Sequence, residues 1–171
     1  RPYQGLYTKA QFLGGKHPNP GCRAAVIAAD GSTREFVSIK LSAATWLNGV
    51  AVIIDGGAAP GSAVTTASGA PAANIASRLG ILTFASATAT QTMAGTAFGW
   101  AQIYGEALAF VSASVSTPGL QLAIGASGQL IAAVAQASAS AATQGIVLAT
   151  ATAAAGGLTK VFLQYPRLAP A

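Results

Sequence analysis

Residues 97–115, AFGWAQIYGEALAFVSASV, decide how the rest of the chain is read. Taken at period two, the even positions are Phe98, Trp100, Gln102, Tyr104, Glu106, Leu108 and Phe110. The odd positions are Ala97, Gly99, Ala101, Ile103, Gly105, Ala107, Ala109 and Val111. One face is bulky and the other small, as expected of a long strand that packs closely against backbone on one side. A helical spacing also exists, with Trp100, Tyr104 and Leu108 at i, i+4 and i+8. Against it, Gly99 and Gly105 would each cost about 1 kcal/mol relative to Ala in a helix. The stretch is read as a strand, with Trp100 and Tyr104 as core residues.

Working outward, short strand signals recur between turn signals. Residues 24–29 end at Asp30-Gly31, and residues 35–41 alternate Val37, Ile39 and Leu41 against Phe36, Ser38 and Lys40. Residues 42–47 read as a helical turn or as more strand. Asn48-Gly49 is a hairpin cue, followed by a buried-type strand at 50–54 and by Asp55-Gly56-Gly57. Residues 58–77 fall to Ala, Ser, Thr, Gly and Pro, a long loop with a short strand at 63–66. Residues 79–85 are a strand and 86–96 another Ala/Thr-rich connection. Beyond the central strand, Thr117-Pro118-Gly119 turns into apolar residues 120–124, and residues 125–128 turn into 129–134. Residues 135–143 are read as a loop, although 136–142 has helical propensity. QGIVLATAT (144–152) and the run 159–165 are the last strands; the second alternates Val161, Leu163 and Tyr165 against Lys160, Phe162 and Gln164. Strands at this spacing predict an all-β fold, a small β-barrel or sandwich with long Ala/Ser/Thr-rich loops.

Composition narrows the setting. The chain has 171 residues, enough for one domain, or one domain and an appendage. It is 52% hydrophobic but only 8% charged, against a usual charged share of about 25%. Such a surface stays soluble most easily when it is covered by copies of itself or by a partner. No window holds the roughly 18–20 apolar residues that a membrane helix needs, nor is a secretion signal visible. The charge is uneven: residues 1–40 carry Arg1, Lys9, Lys16, Arg23, Arg34 and Lys40 against Asp30 and Glu35. Residues 41–171 carry Arg78, Lys160 and Arg167 against Asp55 and Glu106. A basic front end suits an acidic partner. The cations are spaced and no nucleic-acid motif is present, which disfavours direct binding of nucleic acid.

Catalytic chemistry has little to draw on. Cys22 is the sole cysteine and His17 the sole histidine. No internal disulfide can form, and the two lie in a Gly/Pro-rich segment without an adjacent orienting carboxylate. Cys22 reads as a small buried hydrophobe or an inert thiol, and His17 as a loop residue. Four acids in the whole chain leave almost nothing to converge on a substrate, so no enzyme, cofactor or metal site is expected.

Residues 1–35 are taken as an extended N-terminal arm and residues 36–171 as the β-domain. Pro2, Gly5, Gly14, Gly15, Pro18, Pro20 and Gly21 forbid a regular helix in the arm. Tyr3, Leu6, Tyr7, Phe12 and Leu13 are too apolar for a free tail, which argues for an arm ordered on a neighbour. Tyr3, Tyr7, Lys9, Phe12, Lys16 and Arg23 are the candidate contact residues.

Across residues 97–167 the order of motifs resembles the C-terminal half of tailed-phage head decoration proteins, also called capsid cement proteins. The resemblance rests on the GW-Q-YG strand within AFGWAQIYGEALAFVSASV, then TPGLQLAIGASGQLIA, then QGIVLATATAAAGGLTKVFLQYPR. LNGVAVIIDGG, within residues 37–57, is a weaker echo of an early paired strand. The arm has no residue-by-residue counterpart. The resemblance implies a β-domain on the outer surface of the virion's capsid, bound to the major capsid protein. It also implies assembly with itself, a homotrimer being favoured over a dimer, with arms that clamp neighbouring shell subunits and no membrane contact. A tail or fibre module is the alternative, although a fibre should show tandem repeats and no consistent period is present. A small-ligand barrel is the other, lacking convergent polar residues.

Overall fold

In the computed structural model, residues 97–111 form the longest strand of an antiparallel sheet. The structure describes residues 21–41, 44–54, 63–65, 78–83, 90–93, 97–112, 115, 117–125, 128–133, 143–150 and 157–168. Among them are twelve strands and no α-helix: β1 (Arg23–Ile27), β2 (Thr33–Leu41), β3 (Ala44–Leu47), β4 (Ala51–Ile54), β5 (Ala63–Thr65) and β6 (Arg78–Thr83). After these come β7 (Thr90–Met93), β8 (Ala97–Val111), β9 (Leu122–Ile124), β10 (Leu130–Ala132), β11 (Thr143–Leu148) and β12 (Gly157–Leu168).

Local chemistry explains the first hairpin. Asp30 Oδ1 accepts from the Ser32 backbone N–H at 2.9 Å and from its hydroxyl at 2.6 Å. Gly31 takes φ +80° and donates to the Ala28 carbonyl at 2.9 Å. The turn sets β1 antiparallel to β2, with Arg23 opposite Val37 and Ile27 opposite Thr33. The division drawn at residue 35 therefore falls inside β2, and β1 and β2 belong to the same ten-stranded sheet as β8 and β12.

Ten strands form one sheet with the main path β1-β2-β8-β12-β6-β4-β5, to which β9, β10 and β11 are added; β3 and β7 form a separate pair. β8 takes β2 along Ala97–Tyr104, β12 along Tyr104–Val111 and β6 along Trp100–Gln102. The sheet does not close into a barrel. It folds over on itself in a sandwich-like arrangement with two apolar cores. One core gathers Val37, Ile39 and Leu41 of β2 with Ala101 and Ile103 of β8. The other gathers Ala107, Ala109 and Val111 of β8 with Leu122, Leu130, Ile146, Leu148, Val161 and Leu163.

β4 and β6 are shared between these cores. Ala51, Ile53, Leu79 and Ile81 face the second core, whereas Val52, Ile54 and Leu82 face the first, together with Val50 at the mouth of β4. A strand covered on both faces needs an unbroken apolar run, and VAVII supplies it. The same fact corrects the reading of Asn48-Gly49 as a hairpin. Gly49 does turn the chain at φ +85°, but β3 pairs with β7, and β4 pairs with β5 and β6. Gly49 donates to the Leu82 carbonyl and accepts from the Phe110 N–H, both at 2.8 Å, so the turn is tied to two distant strands.

β8 runs from one core to the other, and Gly105 lies between. Its φ is +87°, and a Cβ there would sit 2.5 Å from the Thr33 carbonyl oxygen. The buried Gln102 side chain spans this irregularity, donating to the carbonyls of Tyr104 at 3.0 Å and Glu106 at 2.8 Å. The ladder with β2 slips by one residue nearby, between Glu35 and Phe36.

One other expectation changes. Residues 86–96 contain the strand β7, which pairs in register with β3, Ala44 opposite Met93; Thr-rich sequence on a short pair gives little apolar signal. The loops expected at 58–77 and 135–143, and the helical tendency at 136–142, lie almost wholly outside the described residues, apart from β5 and the first residue of β11.

Candidate interaction surface

The alternation of β8 holds in the structure, with the small residues inward. Ala101, Ile103, Ala107, Ala109 and Val111 are buried, so the small side is the core side. On the bulky side, Trp100 and Gln102 are buried near the crossing with β6, yet Tyr104, Glu106 and Phe110 are half-buried and Leu108 is exposed. Tyr104 is thus not the core residue expected from the sequence. It stacks on Tyr165 with centroids 5.1 Å apart and meets the edge of Phe162 at 6.2 Å, outside both cores.

Register assembles the rest of that face. Leu158 lies opposite Phe110, Lys160 opposite Leu108, and Phe162 opposite Glu106; on the far side of β12, Val147 lies opposite Phe162. Val161 and Leu163 point inward, so Leu158, Lys160, Phe162 and Gln164 point outward. The outcome is a three-stranded outer face bearing Leu108 (55% exposed), Leu158 (43%), Phe162 (39%) and Val147 (36%). Near its centre Lys160 Nζ meets Glu106 Oε1 at 2.9 Å, with both side chains still reaching solvent.

At one end of this face the alternation of β12 breaks. Tyr165, expected to share a side with Val161 and Leu163, is instead 49% exposed with φ +47°, and Pro166 is buried. A non-glycine residue in the left-handed region is held there only by its surroundings. Those are the Tyr104 stack and a hydrogen bond from the Tyr165 hydroxyl to Glu35 Oε1 at 2.8 Å. That bond, then desolvation of the ring and the charge of Glu35, push the phenol above its ordinary value of 10.0. At the other side of the hairpin, the hydrogen bonds from Ser32 hold the Asp30 carboxyl below its ordinary range.

Of the six candidate contact residues, Arg23 is the one within the described chain; Tyr3, Tyr7, Lys9, Phe12 and Lys16 lie outside it. Arg23 opens β1, is exposed, and lines a cleft of about 30 Å³ with Arg78, Leu79, Ile103, Tyr165 and Pro166. Arg167 stands opposite Arg78 across β12 and β6. Two arginines and four largely apolar residues line the cleft. Its volume falls well short of the roughly 300–1,000 Å³ of a small-molecule pocket. Cys22, next to Arg23, is a free and exposed thiol, not a buried hydrophobe, because it lies beside the edge strand β1. Among the described residues no three His, Cys, Asp or Glu side chains come together as a metal set, and no helix is long and apolar enough to cross a membrane.

Sequence reasoning missed the outer face, although its members were in view. Leu108, Phe110, Phe162 and Val147 alternate correctly for a strand; what the pattern lacks is any sign of which side meets the core. Comparison with protein-family models, curated proteins and solved structures finds no match to this chain.

Proposed function

We propose that this chain is a structural protein of a tailed-phage virion that binds the outside of the head and cements adjacent major capsid protein subunits. The observation that carries this reading is the resemblance of residues 97–167 to head decoration proteins. Two features of the molecule support it. Its surface is poor in charge and keeps large apolar side chains on one sheet face, as suits a chain whose exterior is covered in assembly. Its N-terminal residues combine aromatics with cations and no acid before Asp30, as suits an arm laid on an acidic neighbour.

The mechanism is mechanical. Residues 1–20 reach along neighbouring shell subunits, Arg23 meets a carboxylate at the foot of the arm, and the β-domain covers the seam. Opening that seam under genome pressure re-exposes apolar surface at about 25 cal/mol per Å². Many copies on one lattice add avidity to individually weak contacts. The test is co-sedimentation with isolated heads and the temperature at which those heads rupture. Saturable binding to expanded heads with a raised rupture temperature is expected, and both should be lost on deletion of residues 1–20. Binding to isolated tails with heads unaffected would replace this reading with that of a tail module.

A further inference from the structure

The outer face of β8, β12 and β11 has no counterpart in the arm mechanism, and we infer that it is where a second copy of this chain docks, face to face about a two-fold axis. Its chemistry is the first reason. Leu108, Phe110, Val147, Leu158 and Phe162 stand on one face of three paired strands, all exposed or half-buried. The outer face of an antiparallel sheet is ordinarily polar when water is its final neighbour.

Charge identifies the occupant. Among the described residues, the charges within this patch are Lys160 and Glu106, one of each sign, 2.9 Å apart on adjacent strands. An isologous contact places the same patch against itself. A two-fold axis through the midpoint of this pair sets Lys160 of each copy against Glu106 of the other, closing a ring of four alternating charges inside an apolar surround. A strongly acidic or basic partner would instead leave one of the two charges facing its like. The patch is complementary to itself.

Its size sets the strength. Three strands about 4.8 Å apart and seven residues of β8 at about 3.3 Å each give a footprint on the order of 300 Å² per copy. Stable interfaces bury about 800 Å² per partner. The contact is therefore weak in dilute solution and becomes effective where copies are held close together. It closes at two copies, so the three-fold assembly that the resemblance favours would have to use other surfaces. This inference is independent of shell binding, because self-association is measured without a shell.

Sedimentation equilibrium of the full chain, up to about 1 mM, tests it by charge exchange. Wild type should show reversible dimers at the upper concentrations. Glu106→Lys alone and Lys160→Glu alone should each weaken association about tenfold, because both cross-contacts become repulsive. An equimolar mixture of the two variants should associate more tightly than either alone, since every cross-contact is then attractive. Leu108→Ser, at an exposed position, should abolish association without changing the melting temperature. A wild type that stays monomeric at 1 mM would overturn the inference. So would association indifferent to all three substitutions, or a mixture no tighter than its components.

Discussion

Substituting Gly105 by Ala probes the point where β8 passes from one core to the other. Two costs add. The φ of +87° lies where a Cβ costs about 1–2 kcal/mol. The new Cβ would also stand 2.5 Å from the Thr33 carbonyl oxygen, a backbone atom that cannot rotate aside. β2 must then draw away from β8 beside its existing slip, an overpacking strain of about 1–3 kcal/mol. The sum is roughly 2–5 kcal/mol, to be compared with a total stability of about 5–15 kcal/mol for a domain. Gly31→Ala is the matched control, because Gly31 has φ +80° and nothing within 4 Å of where its Cβ would stand, leaving the conformational cost alone. Urea unfolding with an unchanged m-value should place Gly105→Ala below Gly31→Ala by at least about 1 kcal/mol. In melting temperature that difference is a few degrees, at about 2–4 °C per kcal/mol for this chain length. If the two variants fall within about 0.5 kcal/mol of each other, the close approach of β2 at Gly105 plays no part and the reasoning is refuted.

Gln102→Leu should cost about 1–3 kcal/mol, since it strands the carbonyls of Tyr104 and Glu106 that the buried amide serves; chemical denaturation reads the loss. Leu79→Ala and Leu82→Ala, on opposite faces of β6, should each cost about 2–5 kcal/mol, and near-neutrality of either would remove one of the two cores. Tyr165 holds its proton more tightly when folded, so its contribution is complete below the unfolded phenol value near 10 and is lost as pH rises through the higher folded value. Stability should therefore decline in the alkaline window above pH 10, and Tyr165→Phe should flatten that decline in denaturation curves taken on either side of it.

Much of the fold was legible because burial leaves a periodic trace. β2, β4, β6, β8 and β12 announce themselves by alternation or by an unbroken apolar run, and each lies within a few residues of its expected place. Partner choice was not legible. Asn48-Gly49 turns the chain as its residue types dictate, but the double burial of β4 gives that strand two other neighbours. β7, a TQTM strand paired with β3, carries too little apolar contrast to register in sequence. The outer face was hidden for a related reason. Period two divides side chains into two sets without saying which set is inside, so bulk alone makes the large residues of β8 read as core. Tyr104 and Tyr165 show the cost of that assumption: both belong to an exterior cluster, and the left-handed Tyr165 departs from an alternation that holds through Leu163. Arg23 was named as a contact candidate for its charge; that Arg78, far away in sequence, shares its cleft, with Arg167 opposite Arg78, follows only from the sheet.

The most direct test of the cementing role is a density map of the intact particle at a resolution that distinguishes subunits. Cementing predicts copies of this 16.8 kDa chain with their β-domains on the outer surface of the head, astride seams between shell subunits, and the chain before Gly21 leading onto the shell protein. Density for this protein confined to the tail, or its absence from the head surface, would contradict it.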